Sequence, residues 1–210
     1  LAICTGIPGN IRHAAIRITG EDAHVGLPRR FRHDAALAGA DLFTALDALW
    51  AEEEAAGRAM AFTIGRFHTD TAKHELTVVA GGFTLSLDLR AYDAAHLAAL
   101  EGRLHAIVAD VAARRGVAID LGPRNAAPVG PCDPALQRGL AEGAARMGIA
   151  TMPLGSPASH DAANFAAAGI PTGMLLIRNA HGSHNPREAM DVPDLMAAAA
   201  AYAEWLRAEA

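Results

Sequence analysis

The sequence predicts an α/β protein that carries an inserted α+β unit. Three observations lead there. Residues 83–90 (FTLSLDLR) alternate strictly, with Phe83, Leu85, Leu87 and Leu89 on one face and Thr84, Ser86, Asp88 and Arg90 on the other. That is the period of a half-buried strand. Segments 33–56 and 94–115 instead repeat their apolar residues at helical spacing. From about residue 128 helices and strands alternate, the order that implies parallel pairing in a sheet.

Taken in order, LAICTGI at the start reads as a strand, and residues 11–19 (IRHAAIRIT) alternate well enough for another. GEDAHVGLPRR is a loop, punctuated by two glycines and a proline. His33 to Ala56 is a helix, with Ala35, Leu37, Ala40, Leu42, Leu46 and Leu49 near helical spacing and Gly57 to end it. Its triplet Glu52-Glu53-Glu54 reads as a short acidic face. Residues 60–67 form a strand, 83–90 the clearest one, and 94–115 a second helix stopped by Gly116. Residues 117–121 add a further strand. Strand, helix, strand, strand, helix, strand is the split βαβ order of a ferredoxin-like sandwich, with two helices on one face of an antiparallel sheet.

Beyond residue 128, Asp133-Pro134 caps a helix over 134–147, with Pro at its first position. A short strand (ATMPL), a loop over 156–161, a helix over 160–168, a buried strand over 172–177 and a terminal helix over 193–209 follow. Two or three parallel strands are too few for a covered sheet. Residues 1–10 and 128–210 are therefore expected to be parts of one larger α/β domain whose N-terminal half is absent. The unit at 11–121 is inserted into it.

Composition bounds the function. Hydrophobic residues make up 51% of the 210, enough for a core, while aromatics are only 5%, so Ala, Leu, Val, Ile and Met must build it. The net charge of −5 with no long basic run argues against nucleic acid as a partner. Cys4 and Cys132 stand far apart with no CxxC, so a disulfide framework is not expected. Reduced thiols, no visible signal peptide and no bilayer-length apolar run point to a cytoplasmic protein with no membrane partner.

Four groups of residues could carry chemistry. The loop IRNAHGSHNPRE holds His181 and His184 beyond a predicted strand, where α/β sheets usually bind ligands. His184 reads either as a metal ligand or as a solvated loop histidine. His181, with no partner at ligand spacing, reads as solvated. Ser159-His160-Asp161 has the residue types of a hydrolase triad, but consecutive residues diverge and cannot meet face to face. A helix start fits better, with Ser159 as cap and Asp161 favoured by the dipole. His24 sits in a Gly/Pro loop, from which it either reaches over a neighbouring site or stays in solvent. Arg90 ends the alternating strand, and a local salt bridge to Asp88 or Asp93 is favoured over a ligand carboxylate. HExxH, phosphate-loop and dinucleotide motifs are absent.

Together these segments resemble the hydantoinase/carbamoylase amidases, the group containing N-carbamoyl-L-amino acid hydrolases and allantoate amidohydrolases. CTGIPGNIRH resembles the strand leading into that family's lid. ITGEDAHVGLPRRFRHDA resembles TGExxHAGTTPMxxRxDA, one residue shorter. TVVAGGFTLSLDLR resembles NVIPGxVxFTxDxR, PLGSPASHDAANFAAAGIPTGMLLI resembles LPSGAGHDAxxMAxxxPxxMIF, and GSHNPRE resembles GxSHxPxE. The resemblance implies an incomplete catalytic α/β domain, residues 1–10 and 128–210, with a ferredoxin-like lid and dimerisation domain at 11–121.

It also implies roles. His184 would bind one of two bridged divalent ions, zinc or else manganese, cobalt or nickel. Arg90 would grip the substrate's α-carboxylate, His24 would stabilise the oxyanion, and His160 and Asp161 would line the site wall. Thr77 would contact the substrate amide, though the family pattern has Asn there and Pro at Ala80. Pro157-Ala158-Ser159 replaces GAG, and Leu27 stands in place of paired threonines. The implied substrate is a small amide or ureide with a carboxylate, cleaved at a linear C–N bond by a homodimer joined through its lids. The family's other metal ligands and catalytic Glu would precede residue 1, so the chain is expected to be a fragment inactive alone. The alternatives are a non-catalytic dimerisation or binding module and a related aminoacylase or dipeptidase.

Overall fold

In the computed structural model, which describes residues 1–209, strands β1 (Ala2–Cys4) and β2 (Gly6–Ile7) open the chain. Then come β3 (Gly9–Thr19), β4 (Ala23–His24), a 3₁₀ turn at Arg29–Phe31 and helix α1 (Ala35–Ala55). Strands β5 (Met60–Thr63), β6 (Phe67–Thr69), β7 (Val78–Val79) and β8 (Gly82–Ala91) lead to α2 (Ala94–Arg115). Strands β9 (Ala118–Asp120), β10 (Arg124–Ala127) and β11 (Gly130–Pro131) precede α3 (Pro134–Arg146). The chain continues through β12 (Met152–Leu154), α4 (Ala162–Ala167), β13 (Leu175–Leu176) and α5 (Val192–Glu209). It divides into two units, residues 9–127 and residues 1–8 with 128 onward. Among the described residues no helix is long and apolar enough to cross a membrane.

In unit 9–127, β8 alternates as its sequence requires: Phe83, Leu85, Leu87, Leu89 and Ala91 are buried and the residues between them half-buried. β3 and β5 flank β8, and β9 pairs with β3, all antiparallel. Helix α1 contacts β5 and β8, α2 contacts β3, β8 and β9, and the two helices touch. This is the ferredoxin-like sandwich. Leu42, Leu46 and Leu49 of α1 and Leu100, Leu104 and Val111 of α2 are almost fully buried in its core. Asp34 and Asp93 cap the helices, accepting from the Leu37 and His96 N–H groups at 3.0 and 2.7 Å.

Two expectations for this unit need correction. Residues 60–67 do not form one strand. Thr63 pairs with Asp88 and Phe67 with Leu85, so the outer strand carries one extra residue, a bulge. Ser86 Oγ accepts the Gly65 and Arg66 N–H groups there, at 3.2 and 3.1 Å, in place of ladder bonds. Nor is Glu52-Glu53-Glu54 a single acidic face. Successive helical residues point about 100° apart, and Glu53 is buried, accepting from Arg58 Nη2 at 2.9 Å and lying 2.8 Å from His96 Nε2.

In the other unit, β1 lies between β12 and β13. β12 is parallel to β1, with Ala2 opposite Met152, but β13 is antiparallel, with Ala2 opposite Leu176. The expected buried strand at 172–177 is a two-residue, half-buried strand of opposite direction. Apolar patterning reports burial; direction is set by the connection, which patterning does not record. Cys4, Ile7, Cys132 and Ala163 form the local core, and both cysteines are free. Helices α3 and α5 pack against each other.

Candidate functional site

In unit 9–127 the fold joins two segments far apart in sequence. β4 and β7 form a two-stranded antiparallel ribbon with His24 opposite Val78, and the Val25 N–H donates to the Thr77 carbonyl at 2.8 Å. Both His24 and Thr77 are exposed. The Leu27 N–H donates to the His24 carbonyl at 2.9 Å, closing a tight turn, and His24 Nδ1 accepts the Gly26 N–H at 3.1 Å.

Arg90 lies on the polar face of β8, and its partner is the local one. Nε and Nη2 donate to the two oxygens of Asp88, each at 2.9 Å, while Arg12 Nε reaches the same carboxylate at 2.8 Å. Burial works to raise the Asp88 pKa, but the hydrogen bonds from Arg90 and Arg12 outweigh it and hold the carboxyl below its ordinary value. The hydrogen bonds to Asp88 in turn push Arg90 up. Asp93 is not involved; it caps α2.

In the other unit, the loop bearing His181 and His184 is strained and tied to itself. His181 has φ 68° and His184 φ 62°, in the left-handed region that costs a non-glycine residue about 1–2 kcal/mol. Asn185 Nδ2 donates to the His181 and Gly182 carbonyls at 2.8 and 3.1 Å. Glu188 accepts the Ser183 hydroxyl at 2.9 Å on one oxygen and the His184 N–H at 3.1 Å on the other. An antiparallel bridge between Ala180 and Ala189 closes the base. Both histidines are exposed. Strain held by surrounding bonds is a feature of functional loops, so the observation motivates a role for His184 without assigning one.

His160 is held by a residue that sequence reasoning missed. Its Nε2 lies 2.7 Å from Ser156 Oγ, and Ser156 is fully buried. The same hydroxyl donates to the Ala158 carbonyl at 3.0 Å, and the Ser156 N–H donates to the Gly6 carbonyl at 2.9 Å. Ser159 is not the helix cap. α4 begins at Ala162, its N-cap position is Asp161 with no side-chain capping bond, and Ser159 Oγ donates to the Pro8 carbonyl at 3.2 Å. His160 and His184 occupy separate loops with separate hydrogen-bond sets.

The donor set of this chain does not by itself fit a metal. Among the described residues no three His, Cys, Asp or Glu side chains gather to hold one. Glu188, beside His184, spends its two oxygens within the loop. Ser156, Asn185, Glu188 and Arg12 were the residues missed. Ser156, Asn185 and Glu188 lie in loops, which have no period, and Arg12 lies on β3, whose pairing with β8 the local sequence does not record.

An uncharacterized hydrolase of Haemophilus influenzae is 30% identical over 94% of this chain and 47% of its own length. The solved structure of a hydantoinase/carbamoylase family amidase from Burkholderia ambifaria is 28% identical, with TM-score 0.77, over 98% of this chain and 48% of that one. An amidase of the same family from Burkholderia multivorans reaches TM-score 0.83 at 25% identity, over 97% and 48%. The chain thus spans about half the length of these relatives. The sequence pattern of Peptidase family M20/M25/M40 matches residues 10–208, through nearly the whole of the chain, and the chain belongs to that family.

Proposed function

We propose that this chain is part of a hydrolase that cleaves a linear amide or ureido C–N bond of an N-carbamoyl or N-acyl amino-acid-like substrate. The observation that carries the reading is the β4–β7 ribbon, which pairs His24 with Val78 and ties the next residue, Val25, to the Thr77 carbonyl, so that both segments meet in one ribbon. His24 and Thr77 are the positions where the resemblance assigns the oxyanion donor and the amide contact. Arg90, on a strand of the same unit, grips the substrate carboxylate, which competes with Asp88 for the Nε–Nη2 edge. Thr77 offers one hydroxyl where an Asn offers a paired donor and acceptor, so the amide end is read less strictly. His160 lies in the site wall.

His184 would supply one imidazole ligand to a pair of divalent ions, zinc or else manganese, cobalt or nickel, and the described residues gather no set of three ligands around it. The lid units pair into a homodimer. This is supported by the free edge of β5 and by Phe43 and Phe67 near it, 43% and 47% exposed.

The test uses the complete protein with N-carbamoyl, N-acyl and dipeptide substrates. Turnover is expected with a carbamoyl or acyl amino acid. Arg90→Ala raises KM for carboxylate substrates and His24→Ala lowers kcat. His184→Ala lowers the metal bound per subunit. No turnover of any of the three substrate classes overturns the reading.

A further inference from the structure

The turn that presents His24 is spanned by one guanidinium. Arg32 Nε donates to the Leu27 carbonyl at 2.7 Å, and Arg32 Nη2 donates to the Val25 carbonyl. These two carbonyls flank Gly26, the residue whose N–H meets the imidazole. The ground beneath Arg32 is itself fixed. The Glu21 N–H donates to the His33 carbonyl, and the Ala35 N–H to the Ala80 carbonyl, each at 2.9 Å. On its far side the turn is tied to Thr77 through the Val25 N–H. The turn is thus held from β7 on one side and from the start of α1 on the other.

This has a chemical consequence. A backbone N–H only donates, so His24 Nδ1 is an acceptor here, and the proton of the neutral ring sits on Nε2. The exposed ring therefore offers an N–H donor on the side away from its own backbone contact. Gly26 permits the approach: a Cβ at that position would lie 3.1 Å from Nδ1 and 3.6 Å from Cε1. An alanine would crowd the ring.

We propose that Arg32 is a positioning residue for His24, bridging the Val25 and Leu27 carbonyls so that the Gly26 N–H selects the Nε2–H form and aims it at a substrate carbonyl oxygen. The identity of that acceptor rests on the amide-hydrolase reading; the tautomer does not. Lysine cannot replace Arg32, because a single ammonium on a flexible stem lacks the planar fork that spans two carbonyls.

The experiment is 15N NMR of the histidine rings in the selectively labelled complete protein, at a pH where the rings are neutral, with kinetics on an N-carbamoyl amino acid alongside. For the parent, His24 is expected to show a protonated Nε2 and a bare Nδ1. In Arg32→Ala and Arg32→Lys the ring becomes a tautomer mixture. kcat falls about tenfold, the loss of one charged hydrogen bond, with KM little changed. Added methylguanidinium partly restores Arg32→Ala. A proton on Nδ1 in the parent, or a single tautomer and unchanged kcat in Arg32→Ala, overturns the proposal. Should Arg32→Ala fail to fold, Gly26→Ala keeps Arg32 and displaces the ring; an undisturbed single tautomer there also overturns it. Unchanged kcat in His24→Ala beside the expected ring pattern overturns the hydrolase reading and leaves the positioning role standing.

Discussion

Ser156 Oγ stands 2.7 Å from His160 Nε2, and Ser156 is wholly buried while His160 is exposed. A serine bonded to a histidine invites a nucleophile reading, but no substrate carbonyl reaches an oxygen with no accessible surface. The pair is a brace. The hydroxyl serves the Ala158 carbonyl, the Ala158 N–H at 3.3 Å and the imidazole, and the Ser156 backbone is tied to β2. Ser156→Ala strips all three at once. The expected cost is about 1–2 kcal/mol, the scale of losing a buried hydroxyl that bonds three groups at once. A lower urea midpoint with an unchanged slope is the expected result, and a serine-directed fluorophosphonate should leave the native parent unlabelled. Rapid labelling at Ser156 would falsify the brace.

The loop carrying His184 should loosen in acid. Glu188 is held below the ordinary glutamate value of 4.5, first by the Ser183 hydroxyl, against a contribution from burial, and then by the His184 N–H and the Asn179 side chain. A depressed carboxyl stabilises the fold only while ionised. Its contribution is therefore complete above the ordinary value and lost as pH falls through the lowered one. A smaller protection factor at the His184 amide, the free-peptide exchange rate at the same pH divided by its own, is expected over that acid window. Glu188→Gln should bring the same loosening to neutral pH, because an amide keeps only one accepting oxygen. A protection factor that is flat with pH in the parent would remove Glu188 from the account.

What was legible in the sequence follows from how each feature is encoded. β8 was readable residue by residue, because burial alternates along a strand with one wet face and each side chain declares its side. α1 and α2 were readable from their spacing, and their caps from Asp34 and Asp93. The β4–β7 ribbon was not: two residues on each side make no period, and its pairing depends on everything between. The direction of β13 was hidden for the same reason. Among the candidate site residues, His24, Thr77, Arg90, His160 and His184 stand in local motifs, and the Asp88 partner of Arg90 was legible beside it, whereas the supports of the histidines were not. Ser156 and Glu188 each sit four residues from the histidine they hold, but inside loops, where that spacing carries no meaning without the fold.

Cys132 should behave as a core residue. Burial, and then the neighbouring Cys4 through charge and hydrogen bonding, push its pKa up to about 12. Almost none of it is thiolate near neutral pH, and the thiolate is the reactive form. An aromatic disulfide reagent at mildly alkaline pH is expected to spare Cys132 in the native protein. Labelling should reach both of the chain's two cysteines in urea. Stoichiometric labelling of Cys132 before unfolding would contradict its placement in the core.

Glu53 makes the sharpest stability prediction. It sits on the inner side of α1 with Arg58 and His96 on its oxygens. The Arg58 hydrogen bonds do most to bring its pKa from 4.5 to about 2, working against burial and helped by His96. The sign follows from the depressed value: the stabilisation is full above 4.5 and disappears as pH falls through about 2. Glu53→Gln removes the charge while keeping the shape, and should cost about 2 kcal/mol at neutral pH, the scale of hydrogen bonds to a charged group. The test is a series of urea melts of both proteins from neutral pH downward. The gap between parent and variant should hold to the ordinary glutamate range and then narrow. A gap that stays constant into strong acid would mean that the ionised carboxylate is not what Glu53 contributes to the join between α1 and α2.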